Sequence, residues 1–361
     1  MSGWDWFDEY EFTAQFSGEA ERQELGRLHR EAYTFRESDP DQALTLIRRG
    51  RALAEHLREP WWMLYYDQQR VHALLHFKQD YREVLDLAVR NALELRRPAN
   101  AEFPRRLMIH GDLVQAYLGI DPLGYAESIA QALDYLEAET PPDSDEYYLL
   151  LGSRRQFALD RGAMDEAAMY GQRSLELAAA DPERGRAEHF LVFAWSGLCE
   201  VAWHRREAEA LAEAAATGKE LAQRVGHQVE LAGFWVWQAL VEQLQGGSSR
   251  GELLMQRARQ RLEGLGMPAD ASIQDAKCAY YEMAGRFDEA LAARDREWRQ
   301  LEGRGRLARE AACLLSRARL LTRLGRLDDE TVARTRQAIE RLRQPEPGRA
   351  ALARLLRGEV P

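Results

Sequence analysis

A seven-residue phrase, Ala284-Gly285-Arg286-Phe287-Asp288-Glu289-Ala290, constrains this 361-residue chain more than any other feature in it. Ahead of it, Ala276, Cys278 and Ala279 stand among Tyr280 and Tyr281. Small residues let two backbones approach closely while the rings fill the remaining gap. Gly285 supplies the left-handed conformation that ends a helix. Asp288 and Glu289 suit the positive end of a new helix, and Ala290, Leu291, Trp298 and Leu301 continue its apolar stripe. The phrase therefore predicts a tight turn between two antiparallel helices.

The turn recurs. A second copy runs from Arg161 through Gly162, Asp165 and Glu166 to Ala168, and fainter ones begin at Asp80-Tyr81 and at Leu324-Gly325. Second helices are expected to start at Asp41, Tyr81, Leu123, Met164, Glu207, Ser249, Phe287 and Leu327, at intervals of 38 to 43 residues. A small residue, Tyr, Gly, an aromatic, an acidic pair and Ala at this spacing resembles the tetratricopeptide repeat. The period exceeds the ordinary repeat of about 34 residues, and is similar to the long-helix variants of kinesin light chains and bacterial MalT-like regulators. The resemblance spans residues 18–344. It implies an all-α fold, a right-handed superhelical solenoid of about eight antiparallel helix hairpins whose first helices line a concave groove. Residues 1–17 would be a separate aromatic and acidic segment, and residues 345–361 a closing cap. Pro141 and Pro142 read as a loop between repeats.

Hydrophobic residues make up 45% of the chain, enough for a continuous core. No apolar run approaches the roughly 18 residues of a membrane helix, so no membrane contact is expected. The acidic start lacks the basic and apolar regions of a signal peptide, which points to the cytoplasm. Cys199, Cys278 and Cys313 fall in different repeats and read as buried thiols, not a disulfide or zinc framework. From Arg294 to the end, seventeen arginines face ten acidic residues, a net +7, while the rest carries −17 of the total −10. Acidity of the whole argues against nucleic-acid binding. Surface pairs four apart on one helix, such as Arg306 with Glu310 or Arg336 with Glu340, would absorb much of the basic end.

Groove positions of the repeat, carried onto this sequence, give Gln69, His76, Trp195, Trp203, Trp235, Trp237, Asp275 and Glu282. The four tryptophans could form an aromatic hot spot, or could pack in the core of the central repeats. With acidic members beside them, the expected partner is a protein or peptide with an apolar or basic segment. Trp4, Trp6, Phe7, Tyr10, Phe12 and Phe16, interleaved with acids, must dock somewhere. They could cap the first hairpin, lie in the chain's own groove, or reach the basic end of a neighbouring copy and drive self-association.

Enzyme chemistry finds little support. His72 and His76 fall four apart on one helix face, but no third ligand is evident and no metal or cofactor is expected. Gly247-Ser248-Ser249-Arg250-Gly251 and Gly303-Arg304-Gly305-Arg306-Leu307-Ala308 match hydrolase and dinucleotide patterns. Both lack the preceding strand that those patterns require. The expectation is a non-enzymatic scaffold binding a protein or peptide, with a ligand- or peptide-sensing receptor acting through a separate output partner as the alternative.

Overall fold

The computed structural model describes residues 19–359 apart from residues 37, 143, 181–186, 248 and 266–270. The aromatic segment 1–17, and each of the expectations attached to it, lies outside the described residues. Among those described, every regular element is helical, and none of the helices is long and apolar enough to cross a membrane. The chain clusters into two compact units. The main division falls at Pro141 and Pro142, where rings without an N–H interrupt the helical ladder.

The first unit contains α1 (Ala20–Phe35), α2 (Pro40–His56), α3 (Pro60–Ala73), α4 (Val84–Glu94), α5 (Arg106–Ile120) and all but the first residue of α6 (Ala126–Glu139). From α1 to α5 each helix packs on the next, and α3 also packs on α5. Leu25, Leu28, Ile47, Trp62, Tyr65, Tyr66, Phe103 and Ile109 form the core. Tyr66 is fully buried, and its hydroxyl donates to the Leu25 carbonyl at 2.6 Å. Residues 303–305 join this unit, with the Tyr81 N–H donating to the Arg304 carbonyl at 2.6 Å. Gly303 and Gly305 hold φ of 71° and 81°, so the glycines of that dinucleotide-like pattern serve a turn.

The second unit holds α7 (Asp145–Asp160), α8 (Met164–Ala180), α9 (Ala187–Arg205), α10 (Ala208–Val225), α11 (Gln228–Leu244) and α12 (Ser249–Leu265). It continues with α13 (Ala271–Met283), α14 (Phe287–Leu301), α15 (Leu307–Arg323), α16 (Asp329–Glu340) and α17 (Glu346–Leu356). Helices α7 to α12 pack in chain order, as do α13 to α16, while α7, α9, α11 and α13 also pack on one another in turn. From α7 to α13 each first helix thus packs on the next first helix as well as on the second helix that follows it. Helix α17 covers α15 and α16, where the closing element is expected. Cys199, Cys278 and Cys313 are buried free thiols in this unit.

Second helices begin at Pro40, Val84, Ala126, Met164, Ala208, Ser249, Phe287 and Asp329, all within three residues of the expected starts. The turn chemistry explains the agreement. At the seventh turn Gly285 takes φ 70°, and the Arg286 N–H reaches back to the Tyr281 carbonyl at 2.8 Å. That bond satisfies a helix-end carbonyl and aims the chain into α14. The same closure joins Ala163 to Ala158, Glu207 to Ala202, Gly247 to Glu242 and Arg326 to Leu321. At the fifth turn the left-handed position is held by an arginine, Arg206, at φ 60°.

Two substitutions isolate this backbone effect. Nothing lies within 4 Å of where a Gly285 Cβ would stand, so Gly285→Ala is expected to cost about 1 kcal/mol from conformation alone. Arg206 is exposed, and Arg206→Gly is expected to gain about the same amount. Urea unfolding of the two variants should shift in opposite directions.

Candidate functional site

The expected groove residues divide between the units, Gln69 and His76 in the first and the rest in the second. Trp237 is 1% exposed and belongs to the core with Phe234, Val236 and Leu240, so it cannot touch a partner in the folded state. Trp195, Trp203 and Trp235 are half-buried and pack against that core from its edge. Gln69, in the first unit, donates from Nε2 to Gln68 Oε1 at 2.8 Å.

The acidic members are already occupied. Asp275 on α13 accepts from Arg294 Nη2 at 2.6 Å and from Arg309 Nη1 at 2.7 Å. Glu282 accepts from Arg319 Nη2 at 2.6 Å. Burial pushes the Asp275 carboxyl up, but Arg309 and Arg294 outweigh it and hold its pKa below the usual carboxylate range. These carboxylates are neutralised from within, which removes the basis for a basic partner segment at this place. The arginines responsible come from the basic end of the chain. Many of its arginines reach across helices, as Arg341 does to Glu310 and Arg349 to Glu340.

An open concave site lies at Trp235. A cavity of about 550 Å³ is walled by Lys219 of α10, by Leu231, Trp235 and Gln238 of α11, and by Arg250, Leu253, Arg257 and Arg261 of α12. The α11 residues fall four and then three apart, so one helical face presents them all. Arg250, Arg257 and Arg261 likewise repeat at seven and four residues along α12, with exposed Leu253 between them. Arg250 lies 3.4 Å from Glu242. Lys219, Arg257 and Arg261 have no ion-pair partner among the described residues. Three uncompensated cations around a half-buried indole create a positive potential over an apolar floor. Such a site suits an anion that carries a ring or an aliphatic group.

This pocket opens between the second helices α10 and α12, over the first helix α11. The repeat resemblance directs attention to first-helix positions, and so to Trp235 but not to the α12 arginines. Their signal was nevertheless present as the stripe Arg250, Arg257 and Arg261.

In the first unit, His72 and His76 are joined by a residue that linear spacing could not supply. Asp112 of α5 stands with its Oδ1 3.8 Å from His72 Nδ1. One ligand atom from each of the three residues lies within 4.8 Å of the others. His76 is exposed to solvent.

No protein-family model matches the chain, and no curated protein matches it either. Over the described residues the chain is all-helical, with helices that pack in chain order within each unit, and its second unit carries a cationic aromatic pocket.

Proposed function

We propose that this chain is a non-enzymatic binding scaffold of the tetratricopeptide-repeat type, working in the cytoplasm, whose partner presents an acidic segment with an aromatic or aliphatic anchor. The observation that carries this reading is the Trp235 pocket, where Lys219, Arg257 and Arg261 lack counterions among the described residues. The packed helices hold the indole in place before the partner arrives, while the lysine and arginine side chains are ordered only on binding. The anchor would bury against Trp235 and Leu253 while carboxylates meet the α12 arginines. The partner chemistry differs from the basic segment that Asp275 and Glu282 suggest in the sequence, because their charges are consumed by Arg294, Arg309 and Arg319.

A second reading draws on the same cavity. A volume of about 550 Å³ lies in the range of small-ligand sites. A receptor sensing a small aromatic anion and signalling to a separate output partner would use the same residues.

Binding of a fluorescein-labelled acidic, tryptophan-containing peptide to the full chain, followed by anisotropy, tests the scaffold reading. Trp235→Ala is expected to weaken binding by about 2 kcal/mol, roughly 30-fold. Arg257→Glu combined with Arg261→Glu should abolish it. Equal affinity for a peptide with lysines in place of the acids would overturn the reading, as would indifference to both variants. Binding of a small aromatic carboxylate without any peptide binding would transfer the site to the receptor reading.

A further inference from the structure

The imidazole pair of the first unit is built with more constraint than a solvated surface needs. After Ala73, helix α3 continues as a wider π turn over Leu74–Lys78, which carries His76. That turn ends on Gln79, held left-handed at φ 49°. A π turn gives up regular helical bonding and recurs at functional sites, and a non-glycine residue in the left-handed region adds conformational cost. The rings of His72 and His76 stand 4.4 Å apart between centroids, tilted by 46°. Phe77 closes one side, its ring 5.9 Å from that of His72.

Asp112 enters from α5 and is only 5% exposed. Gln68 Nε2 donates to its Oδ2 at 2.8 Å, which orients the carboxylate and leaves Oδ1 directed toward His72. The 3.8 Å gap between Oδ1 and His72 Nδ1 is too long for a hydrogen bond. His72 Nδ1 is itself buried and has no hydrogen-bond partner. A buried ring nitrogen that faces a fixed carboxylate without bonding to it needs an explanation. A cation between the two groups supplies one.

We propose that His72, His76 and Asp112 form a three-ligand site for a divalent transition metal of the zinc class. Tetrahedral zinc with bonds of about 2.0 to 2.1 Å places its ligand atoms roughly 3.3 Å apart. The three ligand atoms, now within 4.8 Å of one another, reach that spacing by side-chain adjustments of about 1 Å. Two imidazoles with one carboxylate select zinc, cobalt or nickel over magnesium and calcium, which take oxygen ligands. Gln68 fills the outer position that fixes a ligating carboxylate, and Gln69 in turn donates to Gln68 Oε1. Three protein ligands leave the fourth tetrahedral position to water or another small ligand. That is the arrangement of a site that exchanges its fourth ligand. Sequence spacing supplied the two histidines, and the chain fold brings the third ligand from 36 residues beyond His76.

The test uses the full-length chain stripped of metal and titrated with zinc by calorimetry and with cobalt by visible absorption. One ion per chain is expected, with cobalt showing the intense visible bands of four-coordination. His76→Gln should remove this uptake while leaving the far-ultraviolet helical signal intact, since His76 is exposed. Asp112→Asn should also remove it, and Gln68→Ala should weaken it about 10-fold or more. His189 and His227, whose Nδ1 and Nε2 stand 2.7 Å apart in the second unit, provide the control. Uptake that is lost in His189→Ala and retained in His76→Gln would overturn the proposal. Absence of zinc uptake by the unaltered chain, or zinc affinity unchanged by His76→Gln, would do the same. If Asp112→Asn fails to fold, the His76→Gln comparison decides alone.

Discussion

Glu297→Gln is expected to destabilise the second unit by about 3 to 5 kcal/mol, the loss typical of breaking one side of a buried ion-pair network. Glu297 lies on α14 with its side chain 6% exposed. It takes Arg294 Nη1 at 2.7 Å and Arg309 Nε at 2.5 Å. Asp275 binds the same two guanidinium groups from α13, so two carboxylates balance two arginines across α13, α14 and α15. Glutamine keeps the volume and one acceptor oxygen but deletes the charge. Two enclosed guanidinium groups would then share one carboxylate, that of Asp275. Arg334 and Glu330 form an exposed pair four residues apart, and Glu330→Gln should cost no more than about 0.5 kcal/mol. Urea unfolding of both variants makes the comparison. A loss below about 1 kcal/mol for Glu297→Gln would mean that water reaches the arginines and replaces the missing charge.

Gly50→Ala is expected to cost about 3 kcal/mol in the first unit, at the upper end of core overpacking. An ideal Cβ at Gly50 would stand 2.1 Å from Tyr66 Cζ, well inside contact distance. The ring cannot swing away freely, because its hydroxyl is bonded to the Leu25 carbonyl and the side chain has no exposed surface. Relief requires α2 and α3 to separate, or requires the hydroxyl bond to break inside the core. Gly111 offers the contrast within the same unit. Nothing lies within 4 Å of its Cβ position, so Gly111→Ala should stabilise α5 by about 0.5 to 1 kcal/mol. Thermal unfolding should therefore move down for one glycine and up for the other. Equal shifts would show that α2 and α3 repack without strain.

The Gly50 contact repeats in the second unit. Gly218 on α10 receives the Phe234 ring of α11 at 2.2 Å from its Cβ position, again sixteen residues further along the chain. A glycine on a second helix admits an aromatic side chain from the following first helix. The motif is visible in sequence only once the hairpins have been placed, because neither residue is unusual alone.

Hairpin placement depended on short-range chemistry. A left-handed residue closes six of the eight hairpin turns, at Gln79, Gly162, Arg206, Gly247, Gly285 and Gly325, and an acidic residue favours the next helix start, so a few neighbouring residues carry the information. Phe287 and Met164 accordingly begin their helices at the positions the phrase indicates. The division at Pro141 and Pro142 is different, since compactness depends on packing between distant segments, and the repeat period passes through the break unchanged.

Site composition was legible residue by residue and misleading as a set. Trp195, Trp203, Trp235 and Trp237 share a spacing suited to first-helix faces, yet a rotation of two residues along α11 separates a core ring from a pocket ring. Asp275 and Glu282 present negative charge in the sequence, but arginines 19 to 37 residues away cancel it. Asp112 and His72 become neighbours for a similar reason. Periods, turns and helix starts follow from contacts a few residues apart and so stand in the linear pattern. Which charges remain uncompensated, and which side chains converge on one point, depends on contacts between helices and had to await their packing.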